Sequence, residues 1–185
     1  MRIVSSLIFM FLLGVARAQS WDMVPDRSSL SLTAMVYGSP FVAEFTSFDA
    51  DIVFDPADLG AARVTAWIDV AALVPAIADD GVYVSELQGA DWFFSSQFPQ
   101  AVFQSESFTD LGGGAYRVDG TLILRDQATP IGFDFQLQIR GDQADMQATI
   151  LLDRFDLGLG LGTHPNANTI GNEVEIRLSI SAVKR

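Results

Sequence analysis

The sequence predicts an all-β domain built from roughly eight antiparallel strands. Three observations support this fold class. Apolar and polar residues alternate along most of the chain, turn signals rich in Gly, Pro and Asp separate the alternating runs, and a single segment at residues 76–99 breaks the pattern. Alternation with one apolar and one polar face is typical of antiparallel sheet.

Residues 1–18 have the three parts of a secretory signal peptide. Arg2 supplies the positive start, residues 7–13 (LIFMFLL) the apolar centre, and residues 16–18 (ARA) the small-residue cleavage pattern. The alternative, a transmembrane anchor, needs about 20 apolar residues and the run is shorter. We therefore expect an exported, periplasmic protein whose mature domain spans residues 19–185.

Composition excludes several classes of function. The chain has 185 residues, a formal net charge of −12 and no cysteine. This length predicts one domain. Disulfides, thiolate metal sites and cysteine nucleophiles are excluded, and the acidic charge excludes nucleic acid as a partner, because phosphate contacts need a basic face.

Two alternating runs lie in the first part of the mature chain, and their phase differs. Phe41, Ala43 and Phe45 occupy odd positions, whereas the apolar residues from Phe48 to Phe54 occupy even ones. The phase therefore changes at residues 46–47. Either a β-bulge or a loop between two strands accounts for the change.

The second half of the chain alternates more regularly. The apolar positions are Tyr116, Val118, Gly120, Leu122 and Leu124; Ile131, Phe133, Phe135, Leu137 and Ile139; Ala144, Met146, Ala148, Ile150 and Leu152; and Val174, Ile176, Leu178, Ile180 and Ala182. Leu30, Leu32, Ala34 and Val36 form an equivalent run near the N-terminus. Such strands close into a sandwich or a barrel, and a barrel is either packed solid or holds a ligand.

The exceptional segment at residues 76–99 predicts a short helix. Asp79 or Asp80 is a suitable N-cap for a helix that runs through Leu87, and a second turn is expected at residues 92–95. A Gly/Asn-rich stretch at residues 158–169 predicts a flexible loop at the rim of the domain.

The sequence shows no catalytic or metal-binding motif. His164 is the only histidine, and we expect it to be exposed in its loop. Tyr116 is the other conceivable acid–base group, and neither has a visible partner. Asp49, Asp51 and Asp55 lie on the polar face of an alternating run. We therefore expect no catalytic residue, no metal site and no enzymatic activity.

A series of motifs in order resembles the YceI-like family of secreted bacterial lipid-binding proteins, also called polyisoprenoid-binding proteins. The motifs are Trp21-Asp22, Phe54-Asp55-Pro56, Asp91-Trp92-Phe93-Phe94, the Y-x-V-x-G-x-L-x-L-R run at residues 116–125, and Asp153-Arg154-Phe155 followed by Val174-Glu175-Ile176. The resemblance extends from Trp21 to about Lys184. Arg27 stands where the family often has a histidine, so that histidine's role is not carried over.

The resemblance implies a lipocalin-like, extended, eight-stranded antiparallel barrel with a short helical insertion. It also implies an elongated apolar cavity that takes a long isoprenoid-like lipid of the quinone or polyprenyl type, with no other cofactor. Combined with the inward faces, it predicts the following cavity residues: Leu30, Leu32, Val36, Phe48, Ile52, Phe54, Leu87, Trp92, Phe93, Phe94, Phe103, Tyr116, Val118, Leu122, Phe133, Phe135, Leu137, Met146, Ile150, Phe155 and Ile176.

Two further interactions are expected. The family resemblance suggests a functional link to membrane cytochromes of the b561 type, and the alternative function is docking to such a cytochrome through the acidic faces without an obligatory lipid. The second expected interaction is a homodimer formed through an outer face of the barrel.

Overall fold

The computed structural model describes residues 19–77 and 81–185 and confirms the all-β prediction. One α-helix, α1 (Gly81–Leu87), and one short 3-10 helix (Pro25–Arg27) interrupt the strands. The strands are β1 (Ser20–Met23), β2 (Ser29–Val36), β3 (Ser39–Phe45), β4 (Phe48–Val53), β5 (Arg63–Asp69), β6 (Leu73–Pro75), β7 (Gln100–Gly112), β8 (Ala115–Leu124), β9 (Gln127–Arg140), β10 (Gln143–Asp153) and β11 (Ile170–Lys184). The signal-peptide prediction lies outside the described residues.

The sheet closes into an eight-stranded barrel, as predicted, rather than a sandwich. β1 pairs with both β4 and β11, which completes the ring β1-β4-β5-β7-β8-β9-β10-β11. Every pairing is antiparallel. β11 makes closure possible because its 15 residues pair with β10 along one edge and with β2 and then β1 along the other.

Three barrel strands are split in two. Beyond each break, β2 continues β1, β3 continues β4 and β6 continues β5. The three continuing strands pair with one another in the same antiparallel order. The phase change at residues 46–47 is one of these interruptions, since the Thr46 amide donates to the Ala72 carbonyl at 2.8 Å and the Asp69 amide donates to the Ser47 carbonyl at 3.0 Å. The change of phase in the alternation is therefore a break within one barrel strand, not a turn between two neighbouring strands.

The helical insertion covers a gap in the barrel wall. β5 pairs with β7, whereas in the described ranges β6 pairs with β3 alone. α1 packs against β6, and residues 88–99 follow it as turns and irregular chain, which include the second turn predicted at residues 92–95. The predicted helix through Leu87 is present, while its proposed caps, Asp79 and Asp80, lie outside the described residues.

Two of the strands that alternation did not reveal, β7 and β6, have physical reasons for being obscure. β7 contains register shifts between Ser105 and Ser107 and between Asp110 and Gly112. Each shift moves the apolar positions to the opposite parity. β6 is too short for a period to register.

The core consists of two apolar clusters along the barrel axis. The first, which we call the helix end, includes Phe41, Val84 and Trp92; the second, the aromatic end, includes Trp21 and Phe135. Leu152, Ile176 and Leu178 pack against both clusters. No helix within residues 19–77 and 81–185 is both long and apolar enough to cross a membrane.

Candidate functional site

An elongated cavity of about 300 Å³ occupies the barrel interior and is lined by residues from both clusters. Its wall is almost wholly apolar; the charged residues that contribute to it are Asp49, Glu86 and Arg154. The volume lies at the lower end of the range for pockets that hold small organic molecules. The barrel is therefore not packed solid, which answers the question that periodicity left open.

Most of the predicted cavity residues lie in this wall, because inward-facing side chains alternate along each barrel strand. The structure places the following predicted residues in the lining: Leu30, Leu32, Val36, Phe48, Ile52, Phe54, Leu87, Trp92, Phe93, Phe103, Val118, Leu122, Phe133, Phe135, Leu137, Met146, Ile150 and Ile176. Their role in binding a ligand stays a prediction.

Three predicted residues lie outside the lining. Phe94 has a left-handed backbone with φ of 49°, which turns it away to pack edge-on against Phe98 at 5.9 Å. Tyr116 is buried but sits behind the wall, stacked on Phe135 at 5.6 Å. Phe155 leaves β10 after its last residue, and the Arg154 guanidinium covers its ring at 4.2 Å.

The structure also adds lining residues that the sequence prediction missed. Phe41 and Phe45 were recognisable, because they alternate on β3 and face inward. Leu157 and Leu159 were not, since they lie after β10 and enter the wall only through the fold of residues 154–169. The two leucines alternate with glycines, but they lie outside any strand, so their spacing does not indicate which side they face.

The aromatic end of the cavity is closed by a satisfied tryptophan and packed rings. The Trp21 indole Nε1 donates to the Phe54 carbonyl at 2.9 Å. Phe54 makes edge contacts with Phe108 and Tyr116 at 5.3 Å each. Burial raises the pKa of the Tyr116 hydroxyl above its usual value, and nearby Asp110 adds to that effect. Tyr116 thus remains a neutral wall support at neutral pH.

A fully buried arginine organises the helix end. Arg154 has no exposed surface, and its guanidinium donates to five main-chain carbonyls: Gly171 at 3.0 Å, Leu159 at 2.8 Å, His164 at 2.7 Å, Asn166 at 3.0 Å and Ile170 at 3.2 Å. The guanidinium also lies 5.5 Å from the centre of the Trp92 ring. Burial lowers the pKa of Arg154, while Asp153 and Asp91 favour its charged form.

The loop after β10 is tied to the segment after α1 by hydrogen bonds that the expectation of a flexible rim loop did not include. The Asp91 carboxylate accepts hydrogen bonds from the Gly162 amide at 2.9 Å, the Thr163 amide at 2.7 Å and the Thr163 hydroxyl at 2.6 Å. The hydroxyl bond is the main cause that lowers the pKa of Asp91, against the opposing effect of its burial. Gly160 packs directly on the Trp92 ring, where a Cβ atom would come within 2.5 Å of Cζ2.

His164 has a partner, contrary to expectation. Its Nε2 lies 2.8 Å from Oε1 of Glu86, and its side chain is only 20% exposed. The histidine is therefore half-buried and joins the loop to α1, across 78 residues of sequence. Because Glu86 lines the cavity, this pair lies at the boundary between the cavity and solvent.

Trp92 differs from Trp21 in one respect. Among the described residues, no acceptor lies within hydrogen-bond distance of its buried Nε1. Buried indole N–H groups ordinarily have a partner. The helix end thus combines an apolar wall with one half-buried carboxylate–imidazole pair and one cation already bound to carbonyls, and the Trp92 N–H is buried beside them.

Comparison with known proteins identifies the family. The model of the YceI-like domain matches residues 21–182 of the chain. The chain belongs to the YceI-like family. This confirms the resemblance drawn from the sequence motifs.

Solved structures share the YceI-like barrel. BcnA of Burkholderia cenocepacia superimposes with a TM-score of 0.80 at 25% identity and covers 86% of this chain and 99% of its own. A domain from Saccharophagus degradans, described as polyisoprenoid-binding, gives a TM-score of 0.69 at 17% identity over 91% of this chain and 99% of its own. The YceI protein of Campylobacter jejuni gives 0.67 at 17% identity, covering 77% and 84%.

Sequence relatives of this YceI-like chain include UPF0312 proteins of Vibrio cholerae. One is 27% identical over 121 residues, which span 62% of each chain; another is 31% identical over 87 residues, 47% of this chain and 44% of the relative. Within the described parts of this member, no three His, Asp or Glu side chains come together as a possible metal site.

Proposed function

We propose that this YceI-like protein binds a long, chain-like lipid of the isoprenoid type inside its barrel. The observation that supports the proposal is the elongated apolar cavity between the two core clusters. The description of a solved relative as a polyisoprenoid-binding domain agrees with it.

The physical basis is the hydrophobic effect. Burial of apolar ligand surface contributes about 25 cal/mol per Å², before the costs of association are subtracted. An aliphatic chain that lies along an apolar wall therefore binds without a charged anchor. The protein contributes a cavity of matching shape and keeps water away from the chain. Its function is therefore binding and carriage rather than catalysis.

The expected ligands are a quinone with an isoprenoid tail or a polyprenyl lipid, carried in the periplasm. Docking to a membrane b561-type cytochrome and formation of a homodimer stay predictions. Export is tested by the mass of protein from its native host, which should lack residues 1–18. Docking should weaken as salt is added, because it would rest on the acidic faces.

Filling the cavity tests the proposal directly. Met146 lines the cavity on β10, and the next residue, Gln147, is exposed on the outer face of the same strand. Met146→Trp should lower ubiquinone binding at least tenfold, because the larger ring occupies the space of the ligand chain. Gln147→Trp should leave binding unchanged.

Native mass spectrometry and displacement of the neutral dye Nile red measure the binding, and urea unfolding verifies that both variants fold. If both variants fold and bind ubiquinone as the parent does, the cavity is not the binding site. If the parent binds neither ubiquinone nor Nile red, the proposed function is wrong.

A further inference from the structure

Exposed apolar side chains gather on one side of the helix end. Val74 lies on β6, Ile77 follows that strand and Val82 belongs to α1. Met35 lies on β2, and Tyr37 lies in the turn between β2 and β3. Each of the five has at least 45% of its surface exposed. We call these five residues the apolar patch.

Strand pairing brings the members of the apolar patch together. Met35 pairs with Pro40 across the hairpin of β2 and β3, and Tyr37 is at the tip of that hairpin. β6 pairs with the other edge of β3, and the Ala76 amide donates to a β3 carbonyl at 2.9 Å, which brings Ile77 beside the start of β3. Contiguous exposed apolar surface of this kind marks a site that meets another apolar surface.

The apolar patch adjoins the cavity through α1. Tyr83 of α1 and Phe41 of β3 both line the cavity, and their rings pack edge to face at 5.7 Å. Val82, the residue before Tyr83, is 75% exposed. α1 stands where β6 has no further strand partner within the described ranges. A helix of seven residues is therefore the layer that separates this part of the cavity from the outside.

The charges around the apolar patch disfavour an anionic partner. Residues 28–62 and 64–116, which include the whole patch, contain no lysine or arginine. Glu86 on α1 is paired with His164 at 2.8 Å. The other acidic residues next to the patch in the fold or in the sequence are Glu44, Asp79 and Asp80. An anionic membrane or an acidic protein would be repelled, whereas a zwitterionic surface carries no net charge.

We propose that the apolar patch docks this protein on the surface of a zwitterionic lipid bilayer, with Ile77 and Val82 inserted among the acyl chains and α1 facing the membrane. The inference rests on the proposed function, because a water-insoluble lipid passes most directly between a membrane and the cavity where the two adjoin. Five side chains are few beside the roughly 20–30 residues that each partner gives to a stable protein interface. A small apolar surface suits reversible attachment to a bilayer, since the strength of such attachment scales with the apolar area buried.

Flotation with phosphatidylcholine vesicles tests the docking. Ile77→Gln should weaken vesicle binding severalfold, and Ile77→Gln combined with Val82→Gln at least tenfold, because these side chains no longer enter the bilayer. Leu111→Gln is the matched control, since Leu111 is 50% exposed near the opposite, aromatic end, and it should change vesicle binding less than twofold. Urea unfolding verifies that the variants fold. Equal losses in the patch variants and in Leu111→Gln would contradict the proposal.

The composition of the vesicles tests the charge argument. Replacement of about one third of the phosphatidylcholine by phosphatidylglycerol should weaken binding of the parent, and added salt should not weaken binding to the neutral vesicles. Tighter binding to the anionic vesicles, or neutral-vesicle binding that salt abolishes, would overturn the assignment of a zwitterionic surface.

Fluorescence quenching tests the orientation. Val82→Trp places an indole on α1, and Leu111→Trp places one near the aromatic end. Phosphatidylcholine with brominated acyl chains should quench the first indole more strongly than the second, and equal quenching would contradict insertion of the patch. If ultracentrifugation shows a dimer of the parent that Ile77→Gln with Val82→Gln dissociates, the patch is an interface between two copies and the docking proposal is wrong.

The two proposals fail in different ways. Nile red and ubiquinone binding are measured without vesicles, and the patch variants should bind both as the parent does, because Ile77 and Val82 do not line the cavity. A parent that binds ubiquinone but no neutral vesicle contradicts this inference alone. A parent that binds vesicles but neither ubiquinone nor Nile red contradicts the proposed function.

Discussion

Replacement of the buried Arg154 by methionine tests how the helix end is held together. Methionine keeps the apolar stem but removes the charge and all five hydrogen bonds to main-chain carbonyls. The loss of the guanidinium affects the five carbonyls unequally, because they differ in their access to water. Asn166 is exposed and His164 and Gly171 are half-buried, so water can reach their carbonyls, whereas Leu159 and Ile170 are 5% and 8% exposed.

The magnitude follows from that division. Two carbonyls left buried without a donor cost about 1–3 kcal/mol each, and the lost charged bonds to the others add to this. Removal of a buried cation returns part of its desolvation cost. We therefore expect Arg154→Met to lower the free energy of unfolding by about 4 kcal/mol. Arg154→Lys keeps the charge with fewer donors, so its free energy of unfolding should lie between those of the parent and Arg154→Met.

Urea unfolding measures the total loss of stability, and hydrogen exchange shows which part of the chain the loss affects. The amides of Leu159, Gly160 and His164 donate within this loop and to Asp91, so they should lose protection before the barrel strands do. Arg177→Met is the control, because Arg177 is exposed and pairs with Glu175 at the surface. This substitution should lower the free energy of unfolding by less than about 0.5 kcal/mol. An Arg154→Met protein within about 1 kcal/mol of the parent, with the loop still protected, would refute this account.

Two further predictions concern the same loop. Because the pKa of Asp91 is lowered in the folded protein, its stabilising contribution is present above the usual carboxyl pKa and disappears as the pH falls below about 4. The difference in stability between the parent and Asp91→Asn, measured by urea unfolding, should therefore shrink as the pH is lowered. A difference that stays constant with pH would argue against the contact. Gly160→Ala should cost about 2–3 kcal/mol by thermal unfolding, since its Cβ meets Trp92 at 2.5 Å and φ is +68°. Gly141→Ala, with φ of +61° and nothing within 4 Å, should cost only about 1 kcal/mol, and equal losses would contradict the packing argument.

The sequence predicted the strands best where their hydrogen-bonding register is regular. β9 and β10 alternate without interruption along their paired lengths, so the inward face could be read directly, and its members other than Ala148 lie in the cavity wall. β7 carries two register shifts, which destroy a simple period. The placement of Phe155 failed for a related reason: it follows the last residue of β10, and beyond a strand end parity no longer says which way a side chain points.

The polar features of the site could not be predicted in the same way. Glu86 and His164 are 78 residues apart in sequence, and Asp91 is more than 70 residues from Thr163, to which it binds. No spacing in the chain indicates such pairs. The motif around Arg154 pointed to the right residue, but its buried role appears only when the carbonyls of residues 159–171 are assembled around it.

By itself the sequence determined which side of each regular strand is apolar, because the period of a strand is a local property of the chain. It also determined the family, through motifs whose order and spacing are likewise properties of the chain. Only the tertiary structure decided that the enclosed faces leave a cavity and that its two ends differ. Both depend on how strands distant in sequence close on one another: a void is the difference between the space enclosed and the side chains that fill it, and the unused N–H of Trp92 is recognisable only once all of its neighbours are in place.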